Sequence, residues 1–271
     1  MQLSEQLLYT TIRIEASLAS GGCSVGTGFF FKFCDDGKTY VPAIVTNRHV
    51  VEGAYEYRVI FSRSDENGNL LNINEQLTMR GSESDWIAHP DESVDLCVLP
   101  IGPALNGFIR AGKHLLTIPL SLELLPTDKQ IQDMGCMDEV TMVGYPNGIW
   151  DEANNLPIVR GITATPYRYD YQGQKEFLVD MACYPGSSGS PVFLYNEGTY
   201  LENDAVVMGK RLYLLGILRA VPIRTLLGDI TVSTIAHVSV QDMLNLGIVI
   251  KSERLRDFDP IVRERLSVSG N

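Results

Sequence analysis

A series of short apolar runs, each closed by glycine, aspartate, asparagine or serine, constrains the fold of this chain more than any other feature. In the first half of the chain these runs are TIRIEASL, GTGFFFKF, YVPAIVTN and YEYRVIFS. Apolar residues that alternate with polar ones over about four to eight positions predict half-buried β-strands. Helical periodicity is almost absent, so the sequence predicts an all-β protein.

A second group of such runs follows in the other half of the chain. It comprises EVTMVGYP, LPIVRGITAT, EFLVDMA, SPVFLY, RLYLLGIL and ITVSTIAHV. The segment between the two groups contains Pro119 and Pro126 and has no sustained strand pattern, so it is predicted to link two successive β units. The chain is therefore divided into an N-terminal unit (1–125), a C-terminal unit (126–249) and a charged helix or linker (250–271).

The apolar spacing from Val240 to Leu246 predicts a short helix after the last strand. In the charged segment beyond it, Leu255, Phe258 and Val262 are apolar. This tail either docks on the protein or leads to another domain.

Composition excludes several classes of protein. The chain has 271 residues, 45% of them hydrophobic and 20% charged, which is the balance of an ordinary globular protein. This length can bury a sizeable core, so stability requires neither a disulfide nor a metal. The net charge of −11, without a dense run of lysine and arginine, repels phosphates and argues against nucleic-acid binding.

Export, membrane insertion and metal binding are also argued against. Glu5, Arg13 and Glu15 interrupt the N-terminal stretch where a signal peptide needs an apolar run. Arg219 and Arg224 interrupt the most apolar later segment, so no membrane span is predicted. The five cysteines are odd in number and form no C-x-x-C pair. Together these features predict a cytoplasmic protein with reduced thiols, no metal and no cofactor.

The segment YPGSSGSPVF is the first candidate for chemistry. It places Ser188 between Gly186 and Gly189, where small residues permit a tight turn that can expose a nucleophile. A serine hydroxyl needs a base within hydrogen-bond reach and donors for the oxyanion. Taken alone, the segment is equally typical of a plain Gly/Ser turn between strands.

Two further residues are candidate partners of this serine. His49 follows the apolar run of VPAIVTN, so its imidazole is expected at the rim of the first β unit. A lone histidine in such a place is usually structural. Asp95, in SVDLCVLPI, is drawn into a partly buried place by its apolar neighbours, and a histidine N–H is a suitable donor for its carboxylate.

Taken in order, TNRHVV, VDLCVL and PGSSGSP resemble the His, Asp and Ser blocks of chymotrypsin-fold serine proteases, most closely the HtrA-like peptidase domain. The separations of 46 and 93 residues suit that family. GTGFFF, MVGYPNG and LYLLGIL resemble supporting strands of the same fold, so the likeness covers roughly residues 10–246. Three blocks in order, inside a chain already divided into two β units, make a joint signal stronger than any one block.

The resemblance implies two six-stranded antiparallel β-barrels with a short C-terminal helix. It makes His49 the general base, Asp95 the group that holds its tautomer, and Ser188 the nucleophile. The oxyanion hole is expected from the N–H groups of Gly186 and Ser188. Ser187 and Ser190 are then bystanders, although they replace an aspartate of secreted trypsins and the second glycine of the usual motif.

The same resemblance implies which residues form the pocket for the substrate residue that precedes the scissile bond. Ala182 is expected at the base of the primary specificity pocket and Arg219, Ala220 and Val221 along its wall. No carboxylate lies there to pair with a lysine or arginine, so a small or medium apolar residue is predicted. Neighbouring Cys183 is predicted to be a packed residue.

The sequence therefore predicts a serine endopeptidase acting on protein or peptide substrates. A cytoplasmic protease that is always open would be harmful, so gating by a regulatory partner or a ligand is expected. An additional domain is also expected as a source of substrate capture. Two alternatives remain open at this point. One is a catalytically silent protease-fold binding module or scaffold, and the other is an esterase that uses the same triad.

Overall fold

The computed structural model describes residues 1–81, 85–146, 158–202, 205–220, 223–230 and 236–269. For 220, 223–230, 236–243 and 266–269 it describes the backbone only. Predicted site residue Val221 lies outside the described residues.

The N-terminal unit is one antiparallel sheet of eight strands. Its order is β5-β4-β1-β2-β3-β7-β6, and β8 pairs with β4. The strands are β1 (Thr11–Leu18), β2 (Cys23–Phe33), β3 (Val41–Thr46), β4 (Ala54–Ser64), β5 (Leu70–Arg80), β6 (Ile87–Ala88), β7 (Cys97–Pro100) and β8 (His114–Leu116).

The C-terminal unit is a closed six-stranded barrel of order β10-β11-β16-β13-β12-β9. A separate two-stranded ribbon, β14-β15, lies in the chain between β13 and β16. The barrel strands are β9 (Glu139–Val143), β10 (Ile158–Thr163), β11 (Glu176–Asp180), β12 (Pro191–Glu202), β13 (Ala205–Ala220) and β16 (Leu246–Lys251), and the ribbon strands are β14 (Ile223–Ile230) and β15 (Ala236–Met243).

The predicted all-β fold class with two β units is confirmed, but the first unit departs from the expected six-stranded barrel. It has eight strands, and hydrogen bonding among the described residues leaves it an open sheet. The sheet is open because its two terminal strands, β5 and β6, are not paired with each other among the described residues. The extra strand β8 is accommodated on β4, whose pairing with β1 ends at Val59 and leaves Ser62–Ser64 to pair with β8. The domain boundary near residue 125 stays a prediction.

Five α-helices lie within the described residues, and one predicted helix is wrong. Residues Val240–Met243 belong to β15 and Leu246 begins β16, so the segment expected to be helical is extended. In the run ITVSTIAHV, Ile230 ends β14 and Ala236 begins β15, while residues 231–235 lie outside the described residues. The helices are α1 (Leu3–Leu8), α2 (Arg48–Val51), α3 (Gly102–Arg110), α4 (Asp128–Asp133) and α5 (Phe258–Ser269).

The C-terminal tail docks on the protein. After β16 the chain forms a 3₁₀ helix over Ser252–Asp257 and continues into α5. Leu255, Phe258 and Val262 are fully buried in a core cluster that also holds residues of both β units. Phe258 packs against Phe33 of β2 with ring centroids 5.9 Å apart. The tail therefore joins the two units through apolar contacts.

Three core clusters organise the molecule, one inside each unit and one between them. Strand β2 contributes to two of them, because Phe29 and Phe31 face the shared cluster while Phe30 faces the N-terminal one. All five cysteines are unpaired. Within the described parts of the chain, no helix has both the length and the apolar character needed to cross a bilayer. The cytoplasmic location stays a prediction.

Candidate active site

His49 stands at the exit of β3. The strand ends at Thr46, and the short helix α2 starts at Arg48 and buries Val50 and Val51. Burying these two valines leaves the His49 side chain at the surface, where it is 44% exposed. Its position is thus set by its apolar neighbours.

Asp95 holds His49 through both the backbone and the ring. The backbone N–H of His49 donates to Asp95 Oδ1 at 3.0 Å, and the His49 Nδ1 atom lies 2.6 Å from Asp95 Oδ2. The Asn47 side chain donates to the Asp95 carbonyl at 2.8 Å. A carboxylate can only accept, so Nδ1 carries the proton and Nε2 is left as the basic nitrogen of the neutral ring. The structure thus brings the predicted His49 and Asp95 together.

Ser188 follows a tight reverse turn. The Ser187 N–H donates to the Tyr184 carbonyl at 2.9 Å, with Pro185 and Gly186 at the two central positions. Gly186 has φ of 91°, the left-handed value that the third residue of a type II turn requires. Gly189 has φ of 86°, and a Cβ there would overlap the Thr27 carbonyl oxygen. Both glycines are therefore required by the backbone.

The turn presents two adjacent donors. Within the described part of the chain, neither the Gly186 N–H nor the Ser188 N–H has an acceptor. Gly186 is buried and Ser188 is partly buried. Because buried backbone N–H groups are nearly always paired, the unpaired N–H of buried Gly186, together with that of Ser188, indicates a site for an anionic or carbonyl oxygen.

The Ser188 hydroxyl is hydrogen-bonded to a backbone carbonyl and not to the predicted base. Its Oγ donates to the Arg219 carbonyl at 3.4 Å, and no hydrogen bond joins it to His49 among the described residues. A hydrogen bond of that length is weak. The hydroxyl is therefore held only loosely where it lies.

Thr27 of β2 fastens this turn to the N-terminal unit. Its N–H donates to the Ser188 carbonyl at 2.8 Å and its hydroxyl donates to the Gly186 carbonyl at 2.9 Å. The same hydroxyl accepts from the Tyr145 N–H at 3.0 Å, and the Thr46 hydroxyl donates to the Thr27 carbonyl at 2.7 Å. Thr27 and Thr46 are fully buried. Sequence analysis missed this contribution; its only signal is a threonine between glycines in GTGFFF.

The neighbouring serines differ from Ser188 in exposure. Ser187 and Ser190 are fully buried. The Ser187 Oγ accepts from the Tyr184 N–H at 3.4 Å, and the Ser190 N–H donates to the Ser187 carbonyl at 3.0 Å. Of the three, only Ser188 is partly exposed to solvent.

The predicted specificity residues lie in different surroundings. Ala182 is exposed, while the next residue, Cys183, is fully buried, and that burial raises its pKa to about 12. Arg219 pairs with Glu176, Nε to Oε1 at 2.9 Å, so its charge is neutralised. Only the backbone of Ala220 is described, at the end of β13. The roles of these residues in a specificity pocket stay predictions.

A comparison with known protein families shows which family this chain belongs to. A sequence model of the trypsin-like peptidase domain matches residues 26–201, about two thirds of the chain. The chain belongs to the trypsin-like peptidase domain family. The match confirms the resemblance to serine proteases found in the sequence, whereas the HtrA-like subtype stays a prediction. No curated protein sequence matches the chain.

Solved structures are similar to this family member over nearly their whole length. One is the thermostable serine protease AL20 from an extremophilic microorganism, with 11% identity and a TM-score of 0.47, covering 94% of this chain and 98% of that one. Another is a structure of GrC, with 14% identity and a TM-score of 0.48, covering 98% of this chain and 97% of that one.

Replacement of Thr27 by valine tests the link between the two units. Valine keeps the shape but removes the hydroxyl, so the Gly186 carbonyl and the Tyr145 N–H both lose their partner. We expect the free energy of unfolding to fall by about 3 kcal/mol, as each unpaired buried group costs about 1–3 kcal/mol. Denaturant unfolding measures this loss. Thr27→Ser should restore most of it, and Thr199→Val, at an exposed position of β12, is the matched control. Equal stability of Thr27→Val and wild type would contradict the role assigned to this hydroxyl.

Proposed function

We propose that this protein is a serine endopeptidase in which Ser188, His49 and Asp95 form the catalytic triad. The observation that carries the proposal is the combination of a bonded His49–Asp95 pair with a nucleophile turn whose two N–H groups are unpaired. The proposed substrates are proteins or peptides. The family membership supports peptide hydrolysis over the esterase alternative.

The mechanism follows from the atoms in place. Ser188 Oγ attacks the scissile carbonyl carbon while its proton passes to His49 Nε2, and the carbonyl π pair moves onto oxygen. The N–H groups of Gly186 and Ser188 donate to that oxyanion. Collapse of the intermediate breaks the C–N bond, and the imidazolium returns its proton to the departing amine. Water then repeats the sequence on the acyl-enzyme and releases the acid.

Asp95 contributes through orientation and charge. By accepting from Nδ1–H it keeps Nε2 available for the serine proton, and it stabilises the imidazolium once that proton has been transferred. The second bond, from the His49 backbone N–H to Oδ1, prevents the carboxylate from turning away.

Attack requires the Ser188 hydroxyl to rotate from the Arg219 carbonyl toward His49. This rotation is the point at which we propose that a regulatory partner or a ligand gates the enzyme. Because the bond that it breaks is 3.4 Å long and therefore weak, a small change in the surroundings of Ser188 is enough to shift the hydroxyl between its two positions. Substrates with a small or medium apolar residue before the cut are proposed, since none of the predicted pocket residues is a carboxylate that could pair with a lysine or arginine, and Arg219 is already paired with Glu176.

The orientation of the Ser188 hydroxyl also favours a second candidate function. A protease-fold binding module or scaffold without turnover would keep the hydroxyl on the Arg219 carbonyl permanently. The two functions differ in one measurable property, the reactivity of Ser188 toward an electrophile that mimics the scissile carbonyl.

Covalent labelling tests the proposal. We expect diisopropyl fluorophosphate to add one phosphoryl group to the wild-type protein, located on Ser188 by peptide mass spectrometry. Ser187→Ala and Ser190→Ala should label as the wild type does, because those hydroxyls are buried. Absence of an adduct from the wild type would favour the scaffold, and an adduct on another serine would overturn the triad assignment.

A further inference from the structure

His89 is a buried histidine that the proposed mechanism does not use. It begins the loop, residues 89–96, that connects β6 to β7 and carries Asp95, and its side chain is 0% exposed. Its Nδ1 accepts the Asp91 N–H at 3.0 Å, and its Nε2 lies 3.1 Å from Asp257 Oδ2. The ring packs edge-on against Phe258 with centroids 5.2 Å apart. Two of these three contacts come from the C-terminal tail.

Arg254 closes the group into a ring. One of its guanidinium nitrogens pairs with Asp91 Oδ2, and another lies 3.3 Å from Asp257 Oδ2. These contacts form a closed cycle in which two acidic residues alternate with two basic ones, in the order Asp91, Arg254, Asp257 and His89. We refer to these four residues as the C-terminal clasp.

The clasp holds both chain neighbours of Asp95. The Val94 N–H donates to the Asp91 carbonyl at 3.0 Å, and the His89 N–H donates to the Leu96 carbonyl at 3.0 Å. Val94 and Leu96 are buried. A shift of Asp91 therefore moves the backbone at Val94, and a shift of His89 moves the backbone at Leu96, on the other side of Asp95.

Stability alone does not account for the clasp. Leu255, Phe258 and Val262 already dock the tail through buried apolar surface. Asp91 and Asp257 are 48% and 39% exposed in their side chains, and ion pairs with exposed partners add little to stability. These polar contacts instead fix the orientation of the loop relative to the tail, because hydrogen bonds and paired charges act only over narrow ranges of distance and angle.

We infer that the C-terminal clasp positions Asp95 against His49, so that Arg254 and Asp257, more than 150 residues away in sequence, control the efficiency of the triad. This inference rests on the proposed function. The clasp residues do not touch the reacting atoms and act through the Asp95 loop. A displacement of the order of 1 Å at a catalytic group lowers turnover by about a hundredfold, so a small relaxation of the loop has a measurable effect.

The test uses the full chain with Arg254→Gln, Asp257→Ala and Asp257→Asn. We expect kcat to fall about ten- to a hundredfold in Arg254→Gln and Asp257→Ala while KM changes by less than about twofold, because positioning affects the transition state and not substrate binding. Asp257→Asn should recover part of the loss, since it keeps an oxygen that accepts from His89. Arg256→Gln, in the same 3₁₀ helix but outside the clasp, should match the wild type.

A second readout does not depend on turnover. We expect the proton in the 2.6 Å bond between His49 Nδ1 and Asp95 to give a far-downfield resonance in the wild type, and this resonance to broaden or disappear in Arg254→Gln and Asp257→Ala. Retention of both kcat and this resonance in variants that lose thermal stability would show a purely structural clasp and overturn the inference. An equal loss in Arg256→Gln would overturn it too. If wild-type protein fails to label, the proposed function fails, but the resonance still tests whether the clasp positions Asp95.

Discussion

Ser188→Ala is expected to lower kcat by about six orders of magnitude, to the residual level provided by substrate binding and the oxyanion hole. The variant retains the Gly186 and Ser188 backbone donors and the bonds of Thr27, so its fold should be unchanged. His49→Ala is expected to be similarly inactive. Because the two residues act in one proton transfer, the double variant should be no slower than either single one.

Turnover of a peptide library with apolar residues before the cut, followed by mass spectrometry, measures these rates. Ser190→Ala serves as the control, since this serine is buried beside the turn and has no part in the chemistry. Additive losses in the double variant would mean that Ser188 and His49 act independently, which is incompatible with a triad.

Asp95→Asn is expected to lower kcat by about four orders of magnitude with little change in stability. Asp95 accepts two hydrogen bonds from His49, from its backbone N–H and from Nδ1–H. An asparagine has a single acceptor oxygen, so its amide group must face one of these donors. The ring then adopts the other tautomer, and Nε2 carries a proton and cannot take one from Ser188.

The measurement is kcat/KM of wild type and variant on the same peptide, together with thermal unfolding. Asp180→Asn, on an exposed position of β11, is the matched control. An Asp95→Asn enzyme within tenfold of the wild type would show that the bonded pair is structural and would leave His49 without an orienting partner.

Most of the strands could be predicted because their pattern is local. The run TIRIEASL coincides with β1, and the four phenylalanines in GTGFFFKF lie in a strand with both faces buried. Strand β5 was missed because its sequence, LLNINEQLTMR, is largely polar and lies at the edge of the sheet. Three-residue β8 was missed because its pairing with β4 depends on the course of a distant segment.

The incorrect prediction of a helix at Val240–Leu246 shows that the spacing of apolar residues does not always distinguish a helix from a strand. Short apolar runs fit a helix and a strand equally well, and the choice is made by partners elsewhere in the chain. Here β14 supplies the partner, pairing with β15 along all eight of its residues from Ala236 to Met243.

Family motifs singled out His49, Asp95 and Ser188, and the structure brings the first two into contact, while the triad itself stays a prediction. Other parts of the site have no local signal. The Thr27 hydroxyl reaches Gly186 across 159 positions, and His89 reaches Asp257 across 168. Such bonds depend on how two units pack, and the same holds for the orientation of the Ser188 hydroxyl toward Arg219.

The dependence of the site on distant segments has a consequence for biosynthesis. The turn of Ser188 is bonded to Thr27 of the first unit, and the loop of Asp95 is bonded to Arg254 and Asp257, which emerge from the ribosome some 65 residues after the nucleophile. On the assignment proposed above, a nascent chain that already contains all three triad residues still lacks the groups that align them. Proteolytic competence then arises only after the tail has been made and docked, which spares the cell a partly folded protease during translation.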